Sequence, residues 1–179
     1  NRTAQAGDVL ILTKALGVGV LSAAFKQEKL DAAGYAALIA STTQLNAIGA
    51  ELGRIAGVHA VTDVTGFGLL GHLLEVCRGS GLAAEVTSDP PLLAGVEALA
   101  KAGVRTGAST RNWASYGADV DLPAGLADWK RDLLTDPQTS GGLLIAVAPD
   151  AADEVLALAR SRGFSRAAIL GRMSEGAPR

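Results

Sequence analysis

Asp8-Val9-Leu10-Ile11-Leu12-Thr13 is an apolar run rich in aliphatic residues, bounded by Gly7 and by Ala15-Leu16-Gly17-Val18-Gly19, and it predicts a buried strand followed by a loop. Val58-His59-Ala60-Val61-Thr62, residues 82–87, Leu143-Leu144-Ile145-Ala146-Val147 and residues 167–171 have the same character and predict four more strands. Elsewhere the period lengthens. Leu38, Leu45 and Leu52, with Ile48 and Ile55, fall on one face of a long amphipathic helix from Asp31 to about Arg54, weakened near Thr42-Thr43. Leu70, Leu73, Leu74 and Cys77 form an apolar stripe on a second helix, while His72, Glu75 and Arg78 lie on its polar side. Pro90-Pro91 ends the third strand, because neither ring nitrogen can donate to a ladder. A short helix is expected over 94–102. Pro149 opens another over 150–160, since proline is tolerated in a first turn. Residues 103–121, with Arg111-Asn112-Trp113 and Tyr116, show no clear period and read as a functional loop.

Strands and helices therefore mix along the chain, and its 179 residues suffice for one core. Composition refines this picture. The chain is 49% hydrophobic with only 4% aromatic residues, so small aliphatic side chains must pack helices closely on the sheet. Sixteen Lys and Arg against 18 Asp and Glu leave a net charge of -2, which provides no basic surface for nucleic acid or an anionic membrane. No apolar run approaches the roughly 18 residues of a membrane span. The single Cys77 excludes an internal disulfide and fits a reducing, cytoplasmic setting. The chain opens on Asn1 and reaches its first strand by Asp8, which reads as a piece of something longer.

Three segments could carry chemistry. In Thr62-Asp63-Val64-Thr65-Gly66-Phe67-Gly68, a carboxylate at a strand end can reach a hard cation such as Mg²⁺, which keeps waters and phosphate oxygens in its shell. Gly66 and Gly68 would let N–H groups approach a phosphate at the next helix, and the alternative is that Asp63 or Thr65 caps that helix. In Thr135-Asp136-Pro137-Gln138-Thr139-Ser140-Gly141-Gly142, hydroxyls and consecutive glycines can form an anion-binding nest or simply a polar loop. Lys14-Ala15-Leu16-Gly17-Val18-Gly19 lacks the order of a phosphate loop, and a surface lysine beside a turn is the simpler account. His59, His72 and Cys77 are too few for a zinc cluster or a Cys-x-x-Cys pair. His72 reads as a solvated or supporting group and Cys77 as a buried, inert thiol.

Taken in order, GDVLILTKALGVG (7–19), VTDVTGFGLLGH (61–72), RNWASYG (111–117) and LTDPQTSGGLL (134–144) resemble the C-terminal half of the selenophosphate synthetases, or selenide, water dikinases. The Lys-x-Leu-Gly-x-Gly segment is shared across the wider aminoimidazole ribonucleotide synthetase superfamily. The resemblance implies an α+β domain with a mostly mixed sheet and packed helices. It implies a reaction that converts ATP, selenide and water to selenophosphate, AMP and phosphate with Mg²⁺, with Asp63 as a metal ligand. Lys14, Gly17, Gly19, Thr65, Gly66, Gly68, Thr139, Ser140, Gly141 and Gly142 would face the phosphates or the cleft. The family's reactive cysteine or selenocysteine, its lysine, further metal-binding aspartates and most of its dimer contacts belong to an N-terminal domain that this chain lacks, so no catalytic residue is assigned here. A homodimer is expected of the full-length enzyme and inactivity of this half alone. A thiamine-monophosphate kinase or hydrogenase-maturation relative, and a non-catalytic nucleotide-binding module, are the competing readings.

Overall fold

The structure is a computed structural model that describes residues 1–179. Five strands form one sheet in the order β2-β4-β1-β5-β3: β1 (Val9–Leu12), β2 (Val58–Asp63), β3 (Ala83–Val86), β4 (Leu143–Val147) and β5 (Ala168–Ser174). The α+β class expected above holds. The resemblance implied a mixed sheet; all four ladders are antiparallel, and a parallel pairing occurs only at the isolated bridge between Leu16 and Leu92. The two central strands β1 and β4 bury nearly every side chain, which is why they read as continuous apolar runs instead of alternating ones.

Alternation along those strands still sorts their side chains onto two faces. Leu10, Leu12, Leu144 and Ala146 meet Leu69, Leu70, Leu73 and Cys77 of α4 (Gly68–Ser80) on one side. Ile11, Leu143, Ile145 and Val147 meet Val155 and Ala159 of α8 (Ala152–Ser161) and Leu52 of the short α3 (Gly49–Leu52) on the other. A third cluster joins α1 (Val18–Lys26), α2 (Ala32–Thr43), α5 (Val96–Lys101) and α7 (Asp128–Leu134) through Val18, Leu21, Leu38, Val96 and Leu133.

The helix expected over 31–54 divides into α2 and α3. Asp31 caps α2 by accepting from the Gly34 N–H at 2.7 Å. At its other end the hydroxyls of Thr42 and Thr43 donate to the carbonyls of Leu38 and Ile39 at 2.9 and 2.8 Å, and the chain turns extended at Gln44. The segment 103–121, expected as a loop, contains α6 (Gly107–Tyr116), capped by Thr106 on the Ser109 N–H at 3.1 Å. Its buried stripe is Ser109, Asn112 and Tyr116, so the helical period is present but is written largely in polar residues. No element was expected over α1 or α7 either.

Truncating Ile145, which is fully buried between β1 and β2, to alanine should cost about 2–5 kcal/mol. Truncating Ile169, 48% exposed on β5, should stay within about 0.5 kcal/mol, and urea denaturation of the two variants compares them directly.

Candidate functional site

Strands β1 and β2 end beside the start of β4, with Leu12 opposite Leu144 and Asp63 opposite Leu143. Three loops meet beyond that edge. Thr13 exchanges two bonds with Leu143, its N–H donating to the Leu143 carbonyl at 3.0 Å and its hydroxyl accepting from the Leu143 N–H at 2.8 Å. The Val64 N–H donates to the Gly142 carbonyl at 2.8 Å, and the Gln138 N–H donates to the Thr65 carbonyl at 2.9 Å. Gly141 lies directly on this junction. A Cβ there would overlap the Val64 carbonyl and stand 2.8 Å from Cβ of Gln138.

The same 135–142 loop caps a helix remote in sequence. Helix α1 begins after Gly17, which has no side chain to satisfy the first N–H groups. Gln138 Oε1 accepts from the Gly17 and Val18 N–H groups at 3.0 and 3.1 Å, and Asp136 Oδ2 accepts from the Val20 N–H at 3.2 Å. The Gln138 amide donates back to Asp136 Oδ2 at 3.0 Å. Gly19 permits this approach, since a Cβ would sit 2.7 Å from Cγ of Asp136. Asp136 is fully buried, and burial pushes its carboxyl up to about 7 against the opposing hydrogen bonds from Val20, Gln138, Gly19 and Ser109.

Lys14 is 4% exposed, and its ammonium donates to the carbonyls of Ser41, Gln44 and Ser140 at 3.0, 2.7 and 2.7 Å. All three of its donors are therefore committed inward. The expected phosphate-facing or surface lysine is instead a buried tie between α2 and the 139–142 turn, and burial lowers its proton affinity.

Asp63 is exposed at the end of β2 and forms no ion pair. Two residues later the Thr65 hydroxyl lies 3.2 Å from Nε2 of His72, whose Nδ1 is 3.0 Å from Glu75. His72, expected as a solvated or supporting group, is 7% exposed and held at both nitrogens, which fits the supporting alternative. The turn after Asp63 is pinned from α6. The Asn112 amide donates to the Gly66 and Thr135 carbonyls at 2.9 and 3.0 Å, and the Tyr116 hydroxyl donates to the Phe67 carbonyl at 2.6 Å. Gly68 closes the turn by donating to Thr65. Thr139 and Ser140 are exposed, with Ser140 in the left-handed region at φ 52°. The N–H groups of Gly66, Phe67, Thr139 and Ser140 make no backbone hydrogen bond and remain available to an anion.

No three His, Cys, Asp or Glu side chains converge on one point. Asp63 fits a single oxygen ligand of a hard cation whose other ligands are water, phosphate or groups outside this chain. Cys77 is fully buried in the α4 stripe, and burial pushes its thiol up to about 11, as expected of an inert cysteine. Asp136, Gln138, Asn112 and Tyr116, which build the junction, were not singled out as site residues in the sequence.

Residues 5–178 match the family described as AIR synthase related protein, C-terminal domain. The chain belongs to that family. It is 63% identical over 177 residues to the selenide, water dikinase of Paraburkholderia xenovorans (strain LB400), covering 98% of this chain and 50% of that protein. It is 62% identical over 180 residues to the selenide, water dikinase of Burkholderia ambifaria (strain MC40-6), covering 100% of this chain and 51% of the relative. The chain thus spans about half the length of the curated relatives it matches. Among solved structures, E. coli HypE superposes with a TM-score of 0.73 at 25% identity, over 98% of this chain and 46% of HypE. The thiamine-monophosphate kinase of Stenotrophomonas maltophilia K279a superposes with a TM-score of 0.65 at 22% identity, over 98% of this chain and 50% of the kinase, and shares the fold.

Two substitutions probe the junction. Gly141→Ala forces the loop off the Val64 carbonyl and should destabilise the chain by about 1–3 kcal/mol in urea titration. Asp136 has a folded value near 7 against an ordinary 3.8, so its contribution is fully present below pH 3.8 and is lost as pH rises through 7. Asp136→Asn should flatten the decline in stability between those limits and make the variant relatively more stable above pH 7, as followed by urea midpoints across pH.

Proposed function

We propose that the chain is the C-terminal half of a selenide, water dikinase, in which Asp63 supplies one Mg²⁺ ligand and the adjoining turns close over the phosphates of ATP. The observation that carries this reading is the convergence of all four resembling segments on one junction beside an exposed carboxylate, in a chain 63% identical to such an enzyme.

Phosphoryl transfer from ATP is largely a matter of positioning and charge neutralisation, and bound Mg²⁺ would supply the neutralisation. This chain's own groups do the rest on this side of the cleft. Asp63 presents its carboxylate from a strand end fixed by the β2–β4 ladder. The unengaged N–H groups of Gly66, Phe67, Thr139 and Ser140 offer donors to phosphate oxygens without a basic surface. Asn112 and Tyr116 hold the first of these turns, and Lys14 holds the second through Ser140. Closing this wall excludes water from the reacting phosphates.

The nucleophile, the remaining ligands and the dimer contacts belong in this reading to the other half, with selenide as second substrate and AMP as product. A cytoplasmic enzyme is supported by the single free, buried cysteine. No helix is long and apolar enough to cross a membrane. The kinase and hydrogenase-maturation readings share the fold, but the identity to selenide, water dikinases is more than twice that to HypE.

In the complete enzyme, Asp63→Ala should lower selenide-dependent AMP release by at least about 100-fold. The isolated chain should bind Mg²⁺-ATP negligibly by calorimetry. Robust activity of the variant, or ADP as the nucleotide product, would sink the proposal.

A further inference from the structure

From Ala32 to Ala50 the chain carries no charged residue, although much of this stretch lies at the surface. Helix α2 buries Gly34, Leu38 and Ser41, and its opposite side is no more polar. Tyr35 and Ile39 stand there one turn apart, 46% and 43% exposed, among exposed alanines. A helix that is apolar on every side belongs in an interior. The outer side of α8, by contrast, carries Asp153, Glu154 and Arg160. Phe25 of α1 widens the face at one end, its ring 5.4 Å from that of Tyr35, and Leu45, 79% exposed, follows just past the other end. Exposed apolar side chains scattered singly need no explanation, but four along one helix and its flanks mark a surface that is meant to be covered.

The carboxyl end of α2 is tied to the functional edge. The carbonyls of Ser41 and Gln44 accept from the Lys14 ammonium, which also holds Ser140, and the Asn46 amide donates to the Gly141 carbonyl at 2.8 Å. Leu45 stands between Gln44 and Asn46, so the exposed apolar stretch runs up to the 139–142 turn. Charges resume only at Asp31 before the helix and at Glu51 beyond it. A centre depleted of charge characterises permanent contacts, whereas partners that come and go are commonly steered by charge.

We propose that this face is covered by the other half of the same polypeptide, the half by which the curated relatives exceed this chain, in a standing contact continuous with the wall at Asp63. The inference rests on the reading of the chain as one half of a longer enzyme. The 12 residues of α2 span about 18 Å, and a body as long as this chain has a radius of gyration of roughly 16 Å, so one such body can lie over α2 and oppose the 139–142 turn together.

The complete enzyme, without nucleotide, tests this by two routes. With p-benzoylphenylalanine in place of Tyr35, irradiation should cross-link α2 to a peptide of the other half within one polypeptide, so that the product keeps the parent mass on denaturing electrophoresis. With Ile39→Cys, maleimide labelling read peptide by peptide should be at least about tenfold slower than at Asp153→Cys on the outer side of α8, since a covered side chain reacts only when the contact opens. A cross-linked dimer, which would place a second copy on the face, overturns the proposal. So does the absence of any cross-link, or labelling of Ile39→Cys at the control rate. Selenide-dependent AMP release by the parent enzyme keeps the two readings apart. If it is absent, the assigned function fails while the intramolecular cross-link can still form; if it is present and Ile39→Cys labels freely, only this inference fails.

Discussion

The docking of the 135–142 loop between the ends of β1 and β2 is the constraint on which the rest of this domain's functional edge depends. It joins the edge through backbone bonds at Val64, Thr65 and Leu143, and through side chains that cap α1. Its carbonyl at Ser140 takes one of the three bonds of a buried lysine. Each bond is modest by itself, about 0.5–1.5 kcal/mol net, but a buried donor or acceptor left without its partner costs more than the bond contributed. The loop therefore cannot shift piecemeal. Moving it would uncap α1, take one of its three acceptors from the Lys14 ammonium and free the turn that follows Asp63 in a single event.

That interdependence explains the presence of a fully buried aspartate that forms no ion pair. Asp136 accepts from the amino end of α1, where the helix dipole favours negative charge, and from the Gln138 amide. Desolvation outweighs these bonds, so its carboxyl lies well above the usual range. An apolar residue would avoid that cost but would leave the α1 N–H groups without a partner, because Gly17 has no side chain and the close approach at Gly19 leaves no room for one. The aspartate thus fixes register more than it adds stability.

Legibility in the sequence followed the type of residue that does the burying. The β1 and β4 runs are aliphatic and were plain. Helix α6 buries Ser109, Asn112 and Tyr116, so a hydrophobic period could not reveal it, although Thr106 and Ser109 supply its cap. The site was half visible for a related reason. Thr62-Asp63 and Thr135-Asp136 are the same dipeptide, each leading into a hydroxyl- and glycine-bearing turn, yet one carboxylate is exposed at a strand end and the other is wholly enclosed. Nothing local distinguishes them. The difference arises from where β4 lies, which places Asp136 against α1 and leaves Asp63 at the open edge. Lys14 was misread for the same cause, since its three acceptors come from residues 27 to 126 positions away.

A division of labour follows from these placements. The ionisable groups fixed most firmly at this edge, Lys14 and Asp136, are spent on holding the loops, and the groups that face outward are one carboxylate, the hydroxyls of Thr139 and Ser140 and a few backbone donors. An edge built this way has a defined shape but little charge, consistent with a chain whose net charge is only -2. On the proposed reading it would meet a metal-bridged polyphosphate only when other charged groups are brought opposite it, because one carboxylate leaves most of a hard cation's shell unfilled. Rigidity then matters more than intrinsic affinity. In that reading a preformed wall would add its ligand and its donors without reorganising, and the hydrogen-bonded 135–142 loop is what keeps that wall preformed.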